Sequence, residues 1–421
     1  MAAAVAGQMS DKLAEADADS EARKEETARR VSYGLGLMML AVTMVVPTRA
    51  PMVLQIKKGD AAATARAMGL MSMCAAMIEL VVNPVLGKLS DEYGRKPFLM
   101  LAPVVNAFLH SLVAMSPSSL AMQFLDRMIS GMFIFGFNAP ANAALADLYA
   151  SNPKQLGEAT ARMNMYFGIG CAVGPFIGAK MGGAKSFLAS ALAFLATLCY
   201  VRSQVRETLP EDSRKKFKLA DINPVAFLKL FKTTTMGWLT ATVSLQSFGD
   251  YVNIYDINNL FMIKVLGYQQ GQIGNFATAV GVSQIAGGGF TKELIKRTSL
   301  KTSTAFSNAM WVVGMAMMGS ARNTTQAFCA LFMWTFGHMR SSSVQPYLQK
   351  YGAQQQMGRA EILGAQGNML AYVKVMIPLL YSNVFAWATS NGRNMPGLPY
   401  FVICVLTVLA QGAFLKASPE D

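Results

Sequence analysis

The chain has 421 residues, of which 53% are hydrophobic and only 14% are charged, whereas a soluble domain carries about 25% charged residues. This composition predicts a membrane protein with many spans. The net charge of +13 would also suit a nucleic-acid-binding protein. However, the basic residues lie mainly between apolar runs, where they would face one side of a membrane, so we expect no nucleic-acid partner.

The first 31 residues alternate acidic and basic side chains and contain little apolar material. We expect residues 1–31 to form a solvated, disordered cytosolic tail or a frayed helix. The segment has no apolar signal core, so the first apolar run after it is expected to act as its own insertion signal.

A membrane-spanning helix needs about 20 apolar residues, and we place twelve such spans in the chain. They are 32–55, 62–86, 97–115, 119–147, 160–181, 185–203, 234–262, 269–291, 302–320, 325–348, 361–388 and 397–416. The longest break, 204–233, is predicted to be a cytosolic central loop. It separates an N-terminal half of six helices, 32–203, from a C-terminal half of six helices, 234–416, which a short cytosolic tail follows at 417–421.

The distribution of basic residues predicts the orientation. With an even number of spans and the amino terminus inside, most basic loop residues fall in segments that would face the cytosol. By the positive-inside rule, both termini are therefore expected in the cytosol.

A repeat is visible at a constant offset of 201 positions. It relates three pairs at matching places in the two halves: Gly87 and Gly288, Arg95 and Lys296, and Gly157 and Gly358. The shared offset predicts duplicated halves, an arrangement common among transporters. Arg49 and Asp250 have the same separation, so we expect both side chains to point inward and to come near each other or a shared solute.

A charged loop separates the second and third spans. It contains Gly87, Asp91, Gly94, Arg95 and Lys96 in the pattern G-x-x-x-D-x-x-G-R-[RK]. This pattern resembles the signature loop of the major facilitator superfamily without a mismatch. The resemblance covers everything after the tail and implies an all-α membrane protein with twelve transmembrane helices in two six-helix halves.

The resemblance also implies a role for this loop. In the family it acts as a cytoplasmic latch, whose Asp lies near helix 11 and whose Arg pairs with an acid at the foot of helix 4. Here those residues are Asp91 and Arg95, and Asp147 stands at the corresponding foot. A solvated loop that merely obeys the charge bias is the alternative.

Two further motifs resemble family patterns. Gly170, Gly174, Pro175 and Gly178 in the fifth span match a motif associated with antiporters, except that Ala179 replaces the final Gly. Small residues four positions apart also allow ordinary helix packing, and that alternative remains open.

The other motif is Asp126-Arg127-x-x-x-Gly131 in the fourth span. It resembles a family motif whose Arg is linked to proton transfer. A charge at the bilayer centre is costly, so Arg127 is expected to face protein or water. The alternative places both charges at the outer interface.

Most ionisable residues inside the spans fall in the helices that line the cavity in the family. They are Arg49, Asp126, Arg127, Asp250, Asp256 and Arg340. Glu79 and Lys374 lie in spans 2 and 11. The corresponding helices touch between the halves in the family, so the two residues are predicted to form an interdomain ion pair in one transport state. Four positive and four negative groups leave the charge of the solute undetermined. We expect His110 and His338 to be packed residues rather than proton relays.

We therefore predict a secondary active transporter that moves a small solute by alternating access and is coupled to protons. Antiport is favoured, as in the drug and tetracycline antiporter-like branch of the superfamily. A sensor or scaffold without transport, or a symporter or uniporter for an organic anion, is the alternative. The chain shows no nucleophile, metal or nucleotide pattern, so we expect neither an enzyme nor a cofactor. The expected partners are the solute, protons and the lipid bilayer, around a monomeric multi-pass protein.

Overall fold

The computed structural model describes residues 2–149, 152–214, 216, 225–338, 340–390 and 392–419. Side chains are described in these ranges except at 2–20, 135, 153–154, 213, 251–253 and 359–360. Each of the five predicted segments has residues outside the described ones: Met1 of the tail, 150–151 of the N-terminal half, 215 and 217–224 of the central loop, 339 and 391 of the C-terminal half, and 420–421 of the C-terminal tail.

The described ranges are all-helical. Their α-helices are α1 (Ala2–Met44), α2 (Val46–Ile56), α3 (Ala61–Tyr93), α4 (Arg95–Met115), α5 (Leu120–Leu148), α6 (Pro153–Met181), α7 (Gly183–Gln204), α8 (Thr234–Phe248), α9 (Tyr251–Val265), α10 (Gln270–Arg297), α11 (Leu300–Ser320), α12 (Thr324–Thr335), α13 (Gln345–Gln354), α14 (Arg359–Thr389) and α15 (Leu398–Ala417). Short 3-10 turns cover Glu211–Ser213, Ala226–Phe231 and Arg340–Ser343.

Each predicted span coincides with one of these helices or with two consecutive ones. By length and composition, seven helical segments of the described residues could cross a membrane: Glu21–Ile56, Ala61–Tyr93, Arg95–Met115, Leu120–Leu148, Gly183–Gln204, Glu361–Thr389 and Leu398–Ala417. A multi-pass membrane protein follows. The number of twelve spans and their division into two halves stay predictions.

The N-terminal segment differs from the expected disordered tail, because α1 already begins at Ala2. Two kinds of contact explain the helix. Arg30 pairs with Glu26 one turn earlier at 2.5 Å, and Glu25 pairs with Arg162 of α6 at 3.0 Å. Ala28 is fully buried, so the end of the charged segment packs against the bundle.

Three predicted spans are interrupted helices. The first breaks at Val45, just before Pro47 in the first turn of α2, which cannot donate a backbone hydrogen bond. The seventh breaks at Asp250, whose backbone is extended. The tenth breaks between Thr335 and Gln345. Interrupted helices at membrane depth expose polar backbone groups and are typical of transporter binding sites.

The glycine motif of α6 packs against α1. Thr43 donates a hydrogen bond from Oγ1 to the carbonyl of Gly170 at 3.1 Å. A Cβ at Gly174 would meet Thr43, and one at Gly178 would overlap the backbone of Met44. The small residues therefore let the two helices touch, as small-residue motifs do in membranes.

We call helices α1–α7 the N-terminal set and helices α8–α15 the C-terminal set. The two sets meet along α3 with α14 and along α6 with α10. Gly69 lies against Ser382 and Pro378, and Gly274 lies against Ala179. These contacts, with Lys264 Nζ donating to the carbonyl of Gly59 at 2.9 Å, close the bundle near the loop 57–60.

The opposite end of the same interface is open at the charged loop. Gly87 has no side chain, so another helix end can approach it closely. A Cβ at Gly87 would instead meet no described atom within 4 Å. The bundle is therefore closed at the 57–60 end and not closed over Gly87.

Candidate functional site

A central cavity of about 370 Å³ lies between the two sets of helices. Most of its wall is apolar or small, and its charged lining residues are Arg49, Glu79, Arg127, Asp256 and Lys374. The wall includes parts of α2, α3, α5, α9 and α14, so residues from both sets face one space. A mainly apolar cleft with a few polar groups is the usual form of a small-molecule site.

On one side of the cavity, Arg49 and Asp126 form a buried ion pair. Arg49 Nη2 lies 2.5 Å from Asp126 Oδ2, and Asp126 is 1% exposed. The Arg49 guanidinium also lies over the Phe187 ring, 5.3 Å from its centroid. His110 Nε2 is 3.4 Å from Asp126 Oδ1. Asp126 therefore faces protein rather than solvent, and its depth relative to the outer interface stays a prediction.

Arg127, the next residue along α5, faces the cavity and bridges the two sets. Its guanidinium lies 3.4 Å from Asp256 Oδ2 of α9 and donates to Ser72 Oγ of α3 at 3.2 Å. Ser72 in turn donates to Asp256 at 3.2 Å. The bridge therefore connects α3 and α5 with α9 across the cavity.

Glu79 and Lys374 both line the cavity, but the ion pairs of the described residues do not include one between them. The Glu79 carboxylate packs against α5 at Gly131, where an added Cβ would lie only 2.5 Å from Glu79 Oε1. The glycine of the Arg-x-x-x-Gly motif thus makes room for this carboxylate. The interdomain ion pair stays a prediction for another conformation.

Arg340 and Asp250 lie elsewhere in the C-terminal set. Arg340 is 1% exposed; its Nη2 donates to Asp250 Oδ1 at 3.0 Å and to the carbonyl of Gln246. Its guanidinium stacks over Trp311, 4.2 Å from the ring centroid. Both residues sit at helix breaks and hold them in place.

The sequence predicted that Arg49 and Asp250 come near each other or a shared solute, and the structure gives each of them a different ionic partner. Arg49 pairs with Asp126 and Asp250 with Arg340, so each charge is neutralised within its own set. Asp250 and Arg340 are also not among the lining residues of the cavity. The offset of 201 placed the two residues at equivalent breaks but could not show which neighbour each one selects.

The charged loop is organised around Arg95. Its Nε lies 3.0 Å from Asp147 Oδ2, as the sequence predicted. Its Nη1 donates to Asp91 at 2.5 Å and to Ser90 Oγ at 2.9 Å. Arg95 is 7% exposed, so these partners replace most of its water.

Glu207 is a functional candidate that the motif analysis left without a role. Its carboxylate accepts the backbone N–H groups of Arg95 at 2.9 Å and Lys96 at 3.0 Å, at the first turn of α4. A Cβ at Gly94, whose φ is +99°, would lie 2.5 Å from Glu207 Oε2. Gly94 is therefore required both by its backbone conformation and by this approach.

The pKa of the Glu207 carboxylate is shifted from its ordinary value. Burial raises its pKa, but backbone N–H donors at Leu209, Arg95, Lys96 and Thr208 outweigh that effect and hold the pKa below its ordinary value. The run Glu-Thr-Leu-Pro after the sixth span was the available signal. The sequence could not show that the run folds back onto α4.

The remaining motif residues of α6 face the C-terminal set. Pro175 lines the cavity, and its carbonyl lies 2.9 Å from the position of a Cβ at Gly274. Ala179, the residue that departs from the family pattern, packs directly on Gly274. The glycine missing from α6 is thus matched by one on α10.

Comparison with known proteins identifies the family of this chain. The sequence model of the Major Facilitator Superfamily matches residues 31–373. The chain belongs to that superfamily, which confirms the resemblance of the charged loop and shows a transporter rather than an enzyme.

Individual relatives are distant. Tetracycline resistance protein class H of Pasteurella multocida is 23% identical over 331 residues, which cover 76% of this chain and 80% of that protein. The crystal structure of the human organic anion transporter MFSD10 matches with a TM-score of 0.67 at 17% identity, over 93% of this chain and 99% of that one. A bacterial homolog of the human lysosomal transporter Spinster, in an inward-facing and unoccupied conformation, matches with a TM-score of 0.70 at 13% identity, over 94% and 97%. The two structures share the fold.

Proposed function

We propose that the protein is a proton-coupled secondary transporter that carries a small solute through the central cavity by alternating access. The observation that carries this proposal is the cavity itself. It lies between the two sets of helices, is closed at the 57–60 end, and contains ionisable groups from both sets. A site that two moving bodies share is the arrangement that alternating access requires.

The orientation follows from the charge bias of the loops. If the basic loops face the cytosol, the 57–60 end is external and the structure is closed to the outside. The contacts of Arg95 inside the N-terminal set are formed, while no atom of the described residues lies within 4 Å of a Cβ at Gly87. This combination supports a cytosol-facing state in which the latch lacks only its partner in the C-terminal set.

Coupling to protons is supported by the carboxylates at the cavity. Glu79 and Asp256 line it directly, and Asp126 lies behind Arg49. A carboxylate at membrane depth is costly unless it is paired or protonated, so solute binding and protonation can compete for the same positions. Antiport is favoured because the α6 motif resembles that of antiporters and because a relative is named for tetracycline resistance.

The test is solute flux in proteoliposomes that contain the full chain. Tetracycline and a fluorescent organic anion serve as probes, and a pH-sensitive dye reports the lumen. In an antiporter, an acidic lumen accelerates uptake and uptake makes the lumen more alkaline. Acceleration by an acidic exterior would establish symport instead, and uptake that ignores both gradients would contradict coupling.

A matched pair of variants controls this assay. Glu79→Gln removes a cavity carboxylate without changing its size, and we expect it to abolish the response of flux to the pH gradient. Glu293→Gln removes an exposed carboxylate at the end of α10, paired only with Arg297, and should leave the response unchanged. Equal behaviour of the two variants would remove Glu79 from the coupling step.

A further inference from the structure

The hydrogen bonds of Ser190 assign the protonation of one histidine nitrogen. Ser190 Oγ lies 2.5 Å from the carbonyl of Ala41, a distance at which two oxygens need a proton between them. The single hydroxyl proton of Ser190 is therefore used there. His110 Nδ1, at 2.8 Å from the same hydroxyl, must then donate to it, because the hydroxyl can only accept.

A second chain of hydrogen bonds faces the other nitrogen. Asn106 Nδ2 donates to the carbonyl of Ala102 at 2.8 Å, which fixes the amide and leaves Oδ1 as an acceptor. Ser130 Oγ donates its proton to that Oδ1. The oxygen of Ser130, 3.4 Å from His110 Nε2, can therefore only accept from that nitrogen.

His110 Nε2 thus faces two acceptors. One is Ser130 and the other is Asp126 Oδ1, at 3.4 Å. Asp126 Oδ1 is a buried oxygen with no hydrogen-bond partner among the described residues, since Arg49 holds the other oxygen. A neutral imidazole that is protonated at Nδ1 would turn a lone pair toward this oxygen. One additional proton between Nε2 and Oδ1 resolves the conflict.

We propose that His110 and Asp126 form a proton-binding site that holds one proton between Nε2 and Oδ1. The proton is carried either by an imidazolium that donates to the carboxylate or by a carboxylic acid that donates to the imidazole. Both forms contain the same number of protons. Arg49 bonds the second carboxylate oxygen and opposes protonation, which allows the site to release its proton.

Few charged groups surround the proposed proton site, so Asp126 and Arg49 determine at which pH it titrates. The charged residues that face His110 are Asp126 of α5 and Arg49 of α2. Helix α7 presents Ser190 and the edge-on rings of Phe187 and Phe194. Helix α3, which also packs on α4, presents no charged side chain to His110 in the part of the chain that the structure describes.

The site has access to the transport path. His110, Ser130 and Arg49 belong to the wall of the central cavity, so a proton can exchange with a solvated cavity without crossing the bundle. The use of this proton in transport rests on the proposed function. Its presence at the site does not, because it is inferred from the hydrogen bonds of Ser190, Asn106 and Ser130.

The chain contains only two histidines, which makes a direct test practical. Full-length protein with ring-¹⁵N histidine in nanodiscs is titrated from about pH 5 to about pH 9, around the ordinary histidine pKa of about 6.5. His110→Asn assigns the His110 resonances by their loss. Infrared spectra of the same samples report the carbonyl band of a protonated carboxylic acid.

The expected result is an Nδ1 that stays protonated and one proton that leaves the Nε2–Oδ1 position as the pH rises. Asp126→Asn places an amide donor opposite Nε2, so His110 should remain a neutral Nδ1–H imidazole with no titration. His110→Asn keeps a donor to Ser190 and should remove the histidine signal while leaving Asp126 to titrate alone. Thermal unfolding of each variant verifies that it is folded.

Two results would overturn the proposal. One is an Nε2–H tautomer with an unprotonated Nδ1 throughout the range. The other is an unprotonated Nε2 at every pH without a carboxylic-acid band. Flux that ignores pH gradients while the spectra show the proton would reject the coupling and keep the site.

Discussion

At the scale of single residues, Arg95 connects three elements of the charged loop. It bonds Asp147 at the end of α5 and Asp91 at the end of α3, while Glu207 receives its backbone N–H. A charge with ordered partners on several elements holds those ends in one geometry. The loop is therefore a rigid part of the N-terminal set rather than a solvated connection.

Removal of the Arg95 side chain should impair transport more than folding. Arg95→Ala leaves Asp147 without its partner, but that carboxylate is partly solvated, so we expect expression near the normal level. We expect flux to fall by about tenfold, which corresponds to about 1.4 kcal/mol in a rate-limiting step. The matched control is Arg297→Ala, whose pair with Glu293 is exposed and worth about 0.5 kcal/mol or less. Equal flux in both variants would rule out the latch.

Glu207 should make stability depend on acid. Its folded-state pKa lies below the ordinary value of 4.5, so its stabilising effect is complete above pH 4.5 and is lost as the pH falls through the folded-state pKa. The midpoint temperature of thermal unfolding should therefore fall as the pH is lowered below about 4.5. Glu207→Gln keeps an acceptor without the charge and should flatten this part of the profile. An unchanged profile in the variant would show that other carboxylates determine it.

At the scale of helices, close approach depends on particular glycines. Gly178 of α6 sits on the backbone of Met44, where a Cβ would be 2.8 Å from Cα. Gly412 of α15 has open space at the same position. Each glycine lies inside a long helix, but only Gly178 allows two helices to touch.

Alanine at these two glycines should therefore have opposite effects. Gly178→Ala forces α1 and α6 apart and should destabilise the protein by about 1–3 kcal/mol, the usual cost of overpacking. Gly412→Ala adds a better helix former and should be neutral or stabilising by up to about 1 kcal/mol. Unfolding of both variants in the same detergent checks this. A Gly178→Ala variant as stable as the parent would place the helix contact elsewhere.

The helices could be predicted to a large extent from apolar run length, because every span in this chain must satisfy its backbone inside the bilayer. The interruptions at Asp250 and Arg340 could not. An apolar run shows no break where a buried guanidinium bonds freed carbonyls, as Arg340 does at Gln246. A frayed helix was one of the two expectations for residues 1–31, but its contact with Arg162 could not be predicted, because Arg162 lies far away in sequence.

The sequence predicted which charged residues belong to the candidate site, but it did not predict which of them form ion pairs with one another. The charged residues named from the spans include Arg49, Arg127 and Asp256, which do line the cavity. Their partners depend on the rotation of each helix about its axis. One residue along α5 separates Asp126, which turns into the N-terminal set, from Arg127, which turns to the cavity. His110 gave no sign in the sequence that it faces Asp126.

At the scale of the whole molecule, two pairs of charges straddle the interface between the sets. Arg127 and Asp256 are joined through Ser72 in this structure. Glu79 and Lys374 face the same cavity, and the ion pairs found among the described residues do not join these two side chains. The residues Glu79 and Lys374 both lie on the Gly87 side of the contact between Gly69 and Ser382. One ion pair is formed in this conformation, and we expect the other to form in the conformation that closes over Gly87.

Geometry supports this alternation. At 1.5 Å per residue, Glu79 lies roughly 15 Å along α3 from Gly69. Lys374 lies roughly 9 Å along α14 from the facing segment 378–382. The two side chains are therefore within roughly 6 Å of the same level. Closure of the Gly87 end would bring the helices together there and separate them at the 57–60 end. Glu79 and Lys374 would then pair as Arg127 and Asp256 part.

Charge exchange tests this alternation. Glu79→Lys and Lys374→Glu should each strongly reduce flux, because each puts two like charges at one level of a poorly solvated interface. The double exchange restores opposite charges and should recover part of the flux. Exchange of the exposed Glu293 and Arg297 serves as the control and should change little. Absence of recovery, together with a structure closed over Gly87 in which Glu79 and Lys374 remain apart, would eliminate this pair from the transport cycle and leave Arg127 and Asp256 as the bridge that opens and closes the cavity.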